Sequence, residues 1–149
     1  MQRAIDLSID NVRNGGGPFG AVIVREGEVI AEGTNRVTAN IDPTAHAEVM
    51  AIRRACQQVK DFHLTGCTIY TSCEPCPMCL SAIYWAGIDR ICYANTKEDA
   101  DAIGFGDDFI YKELDLPMDS RTIPAQQLMH AEALQAFREW EEKEDKVEY

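Results

Sequence analysis

Three of the six cysteines, Cys73, Cys76 and Cys79, fall within seven residues, and the tripeptide His46-Ala47-Glu48 stands thirty positions before Cys76. Thiols this crowded suit a metal site better than a disulfide framework. Cys76 and Cys79 are three apart and directly follow Pro75, which marks a helix start, so both sulfurs can face one point. The positive end of that helix favours thiolate. Any fold that uses the pair must bring a second helix start, at His46, against the first. One imidazole and two thiolates give zinc three protein ligands and leave a fourth position for water, whose pKa then falls to about 7. Glu48, two residues past His46, is placed to exchange protons with that water without binding the metal.

Other uses of the same residues are weaker. A closed structural site would take His46 and all three cysteines, leaving Glu48 a solvated helix acid. Cys73, however, reads as the end of the preceding strand and as a neighbour of the metal rather than a ligand. A redox pair lacks a thioredoxin-like strand context. Cys56, Cys67 and Cys92 lie in apolar segments and read as core residues. His63 and His130 carry no partner pattern.

Periodicity supplies the frame. Residues 2–13 read as a helix with Ala4, Ile5, Leu7, Ile9 and Val12 on its apolar side, stopped by Gly15-Gly16-Gly17-Pro18. Residues 19–24 and 29–32 form a hairpin about a Glu26-Gly27 turn. A loop over 35–44 leads through Asp42-Pro43-Thr44 into a helix over 45–59. Residues 68–71 are a β-branched strand. Residues 76–86 are apolar nearly all round, as a buried helix would be, with Tyr84 and Trp85 packed in the core and Gly87 as C-cap. Residues 90–94 form another strand, residues 95–124 are irregular with short helical pieces, residues 126–129 make a fifth strand, and residues 131–143 a last helix. This order implies a single domain over 1–149, with helices on both faces of one sheet.

The chain has 149 residues and a net charge of −11. Its last eleven residues hold six acids against two lysines, and no Lys/Arg cluster occurs elsewhere. A nucleic-acid backbone needs such a cluster, so RNA and DNA are disfavoured partners. No apolar run approaches the roughly 18 to 20 residues that span a bilayer. The N-terminus lacks the apolar run of a signal peptide, and a cytoplasmic location is the expectation.

The pairing of His46-Ala47-Glu48 with Pro75-Cys76-Pro77-Met78-Cys79 resembles the H-x-E…P-C-x-x-C signature of the cytidine deaminase superfamily. The longer runs Asp42-Pro43-Thr44-Ala45 and Tyr70-Thr71-Ser72-Cys73-Glu74 extend the likeness to its purine and cytosine branch. Gly17-Pro18-Phe19-Gly20-Ala21-Val22, Ala82-Ile83-Tyr84-Trp85-Ala86, Gly104-Phe105, the run from Asp108 to Glu113 and the terminal Glu148-Tyr149 resemble the bacterial guanine deaminases of this fold.

The resemblance implies a three-layer α/β/α fold with a five-stranded mixed sheet and one Zn2+ per subunit on His46, Cys76 and Cys79. It makes Glu48 the proton shuttle and assigns the Ala47 N–H to the substrate or its developing charge. Asn35 would hydrogen-bond the ring and Phe19 stack beside it, with Asp107 and Tyr149 completing purine recognition. Gly106-Asp107-Asp108 departs from the family pattern, so Asp108 stays open as the alternative to Asp107. The helix and tail at 131–149 would be exchanged between two subunits of a domain-swapped homodimer. The implied reaction turns guanine into xanthine and ammonia. Isocytosine, cytosine and ammeline present the same amino–ring-nitrogen edge and are alternatives. A tRNA adenosine deaminase or a catalytically idle zinc module are more distant ones.

Overall fold

Strand β1 (Gly20–Arg25) begins with four consecutive buried residues, a run that suits only the interior of a sheet. In the computed structural model, which describes residues 1–148, β1 lies between β2 (Glu28–Thr34) and β3 (Cys67–Cys73). It is antiparallel to both, and β4 (Arg90–Asn95) adds in parallel to β3. The sheet is therefore mixed, with order β2-β1-β3-β4. Glu26 and Gly27 both take positive φ, 52° and 84°, the geometry a two-residue hairpin turn demands.

The helices divide between the two faces, and two glycines decide how closely they approach. Side chains alternate along β1, so Gly20 and Ala21 face opposite sides, and Ala21 pairs with Gly33. A Cβ at Gly20 would strike the backbone of α1 (Gln2–Arg13) at Ala4 and Ser8. A Cβ at Gly33 would strike α3 (Ala47–Val59) at Ala47 and Ala51. The two helices thus cover opposite faces. On the α3 side, Ile23, Ile69, Leu64 and Ile83 are essentially fully buried and form one core with Ala47, Ala51 and Ala55. Each such large side chain contributes about 1.5–3 kcal/mol. Helix α4 (Pro77–Trp85) joins this core through Ile83, followed by Ala86 at its C-cap.

Two expectations about the helices fail. Helix α1 buries Ala4, Ser8 and Asn11, whereas Ile9 and Val12 are exposed. The backbone-to-backbone approach at Gly20 leaves room only for small or short side chains on the inner face. Helix α4 is buried on one face rather than all round, and Tyr84 and Trp85 are 77% and 69% exposed instead of core-packed. Its buried positions are Pro77, Cys79 and Ile83, with Ala86 at the C-cap. Gly87 does follow the helix with a left-handed φ of 63°. Cys67 is buried in the core, while Cys56 and Cys92 are half-buried.

The remaining elements are short. Helix α2 (Val37–Asn40) sits inside the 35–44 loop, and α5 (Lys97–Ala102) opens with a capping box in which Thr96 and Asp99 satisfy each other's N–H groups. The chain groups into two compact units, the first being Met1–Phe109 and the second starting at Ile110. Around and within the second lie α6 (Asp108–Asp115), a 3-10 turn at Met118–Ser120 and α7 (His130–Glu142). The fifth strand expected at 126–129 is not formed among the described residues, and the sheet has four strands. Met129 turns left-handed, with φ of 51°, and ends any extended run where α7 begins. No helix of the described residues is long and apolar enough to cross a membrane.

Candidate active site

The loop before α3 is folded by Asp42. Its carboxylate accepts hydrogen bonds from the Thr44 backbone N–H at 2.8 Å and the Thr44 hydroxyl at 2.7 Å, which hold it below the usual carboxylate range. The turn delivers His46 to the N-cap of α3 in extended conformation. Cys76 occupies the same position on α4, with Pro77 as the first helical residue. The two helix starts meet. His46 Nδ1 lies 3.6 Å from Cys76 Sγ and 3.5 Å from Cys79 Sγ, and all three ligand atoms fall within 4.8 Å of one another.

These distances test the fit of a metal. Zinc bonds of about 2.3 Å to sulfur and about 2.0–2.1 Å to nitrogen, at a tetrahedral angle, place N and S roughly 3.6 Å apart. The observed separations match, and the donors are those zinc prefers. Protonation reflects the same crowding. Hydrogen bonding from Cys79, together with His46, pulls the Cys76 thiol down to about 4. Cys79, bonded to that thiolate and buried, is pushed up instead. His46 is held above its usual value, chiefly by its bond to Cys76.

Glu48 stands in the first turn of α3 and is 6% exposed. Burial pushes its carboxyl up, and the negative charge of Cys76 adds to the effect. Cys73 is buried outside the ligand group; its thiol donates to the Thr96 carbonyl at 3.4 Å and is raised to about 11, mainly by burial. The sequence reading of Cys73 as a neighbour and not a ligand agrees with this placement.

The other expected residues divide by position. Ala47 is buried as the first residue of α3, where helix geometry leaves its N–H without an intrahelical partner. Asn35 is buried; its Oδ1 accepts the Val37 N–H at 3.2 Å, and its Nδ2 donates to none of the described residues. Phe19 is half-buried and meets the edge of Phe105, with centroids 5.1 Å apart and planes at 88°. Asp107 is half-buried and its carboxyl is raised, first by burial and then by Cys76, whereas Asp108 is exposed. Both line a pocket of about 210 Å³ with Lys97, Glu98 and Asp101. Tyr149 lies outside the described residues.

Sequence reasoning missed the residues that hold these groups in place. Ser72 Oγ accepts the Gly20 N–H at 3.0 Å, fixing the backbone beside Phe19. Asn11 donates to the carbonyls of Gly17 and Asn35 at 2.7 and 2.9 Å. No local pattern marked Asn11, because the face of α1 that turns inward is set by Gly20 on another element.

Comparison with known proteins agrees with this geometry. The family model for the cytidine and deoxycytidylate deaminase zinc-binding region matches residues 1–95. The guanine deaminase of Bacillus subtilis (strain 168) is 53% identical over 150 aligned positions, covering 100% of this chain and 96% of that protein. The X-ray structure of guanine deaminase from Bacillus subtilis superposes with a TM-score of 0.96 at 53% identity, covering 99% of this chain and 95% of that one. The tRNA-specific adenosine deaminase of Aquifex aeolicus (strain VF5) is 43% identical over 77 residues, 52% of this chain and 51% of that protein. The chain belongs to the cytidine and deoxycytidylate deaminase family of zinc-dependent hydrolases.

Proposed function

We propose that this enzyme hydrolyses guanine to xanthine and ammonia. The observation that carries the proposal is the juxtaposition of a zinc-compatible His46–Cys76–Cys79 group with a buried, proton-hungry Glu48. Full-length similarity to a guanine deaminase supplies the substrate. Zinc on these three residues, one per subunit, supplies an acidified water as nucleophile.

Glu48 takes the water's proton and passes it to the ring nitrogen beside the amino-bearing carbon as the water oxygen bonds to that carbon. It then moves the remaining proton of the added hydroxyl to the amine, so that the C–N bond breaks, ammonia leaves and the product carbonyl forms. Its raised proton affinity suits a group that must both accept and return protons. Ala47 N–H steadies the substrate or the charge developing on it. Phe19 stacks on the base, and Asn35 Nδ2, free of the described residues, donates to it. Asp107, half-buried and sensing Cys76, is assigned ahead of Asp108 as the carboxylate that reads the purine. Tyr149 is retained from the family resemblance as the remaining purine contact.

The charge around Asp107 supports a free base over RNA. Four acids and one lysine line the adjoining pocket, a surface that repels phosphate.

The C-terminal unit supports a dimer. None of residues 110–148 is buried, and Ile123, Leu128, Met129 and Phe137 are each at least 70% exposed. Such apolar surface calls for cover. A second copy that exchanges residues 131–149 supplies it, within one deaminase domain per chain. A monomer in native mass spectrometry would remove this part of the proposal. Six free cysteines, three of them grouped with the site, fit the reducing cytoplasm.

The test is ammonia release by zinc-loaded protein from guanine, isocytosine, cytosine, ammeline, adenine and free nucleosides. Turnover of guanine with xanthine as product is expected. Turnover of a smaller ring alone would move the substrate and keep the chemistry. Silence on every base would favour RNA editing or an idle zinc module.

A further inference from the structure

Asn11 occupies the last turn of α1 and is 7% exposed. Its backbone carbonyl accepts the Gly16 N–H at 2.8 Å while Gly15 N–H bonds Val12 at 3.0 Å, so the helix ends in a Schellman closure. The side chain turns inward from that closure. One amide nitrogen, Nδ2, donates to Gly17 at 2.7 Å and to Asn35 at 2.9 Å.

These two carbonyls belong to the two segments that carry Phe19 and the Asn35 side chain. The segments are laced together beyond Asn11: Phe19 N–H bonds Gly17 at 2.9 Å, and Asn35 N–H bonds the Phe19 carbonyl at 3.1 Å. The two glycines record how tightly the turn is drawn in. A Cβ on Gly16 would collide with the Asn11 amide, and one on Gly17 would come within 3.1 Å of Asn35 Cγ.

We infer that Asn11 is a positioning residue of the base-binding site, its amide setting the spacing between Phe19 and Asn35. The inference rests on the reading of those two residues as base contacts. Both amide hydrogens are spent on loop carbonyls, so no other side chain of this length substitutes: an Asp would set a carboxylate against two carbonyl oxygens, and an Ala would strip the Asn35 carbonyl of this donor and leave Gly17 only the Phe19 N–H. Contacts that hold the base alike before and during reaction act on KM more than on kcat.

The experiment compares Asn11→Asp, Asn11→Ala and Gly16→Ala with a distant control, Gly27→Ala. Gly27 has φ of 84° and open space around it, so its substitution costs stability without touching the site. Guanine affinity is measured in a Glu48→Gln background, where turnover is suppressed, and steady-state rates are measured in the parent, both per bound zinc. The Asn11 and Gly16 variants are expected to weaken guanine binding and raise KM by about 10- to 100-fold, with kcat changed far less. Gly27→Ala is expected to lower the melting temperature only.

Should Asn11→Asp or Asn11→Ala fail to fold, Gly16→Ala keeps the amide but displaces it, and carries the test. Unchanged affinity in folded, zinc-loaded Asn11 or Gly16 variants would overturn the inference and leave Asn11 a stabiliser of α1. If the Glu48→Gln parent itself binds no base, the assignment of Phe19 and Asn35 falls first, and the inference with it.

Discussion

Gly33 on β2 lies so close to Ala47, the first residue of α3, that any side chain there would collide with the Ala47 carbonyl oxygen. The helix start that carries His46 and Glu48 is therefore seated directly on strand backbone. Gly33→Ala should push that start outward. Overpacking of this kind costs about 1–3 kcal/mol. Zinc affinity and deamination should fall together, because His46 moves relative to Cys76 and Cys79. A denaturation curve paired with zinc titration checks both. A variant that is destabilised but binds zinc as tightly as the parent would show that β2 does not set the site.

The three clustered cysteines should separate chemically. With Cys76 drawn down to about 4 and Cys73 raised to about 11, a neutral metal-free sample holds thiolate at Cys76 and thiol at Cys73. Brief iodoacetamide treatment mapped by mass spectrometry should label Cys76 first and spare Cys73. Correspondingly, Cys76→Ala and Cys79→Ala should lose zinc, while Cys73→Ala keeps it. Loss of zinc from Cys73→Ala would argue for a closed four-ligand site.

A pH effect on stability follows from the tie between α1 and β2. Arg3 grips both oxygens of Glu32, at 2.6 and 2.7 Å, and this bond holds the Glu32 carboxyl below its usual 4.5. A lowered folded value means that the stabilisation is present above the unfolded value and is lost as pH falls through the folded one. Urea midpoints of the parent and of Glu32→Gln should differ near neutrality and converge in acid. The gap should be small and shrink with salt, because both partners are substantially exposed.

Much of this was readable from the chain itself, for reasons that show where reading stops. The grouping of His46, Cys76 and Cys79 was legible because zinc demands particular atoms, and the three sit at helix starts that local signals mark: Asp42-Pro43-Thr44 before one and Pro75 before the other. The hairpin was legible because Glu26-Gly27 accepts positive φ. Tyr84 and Trp85 misled because apolar character says what a side chain tolerates, not which face of a nine-residue helix is buried. Ile9 and Val12 misled similarly, since the inner face of α1 was chosen by the bare backbone of Gly20 on a different element. The expected strand at 126–129 had suitable residues, but a strand exists only through a ladder partner, which no local pattern reveals. Asn11 was invisible for the same reason: its partners, Gly17 and Asn35, are backbone carbonyls brought to it by the fold.

The most direct test of the account is xanthine formation from guanine by zinc-loaded protein, compared with Glu48→Gln at matched zinc content. Loss of proton transfer by a positioned carboxylate typically costs about 10²–10⁴-fold. The account predicts stoichiometric xanthine and ammonia from the parent, and a rate lower by that order in the variant with its fold and metal intact. Xanthine produced equally fast by Glu48→Gln would contradict it.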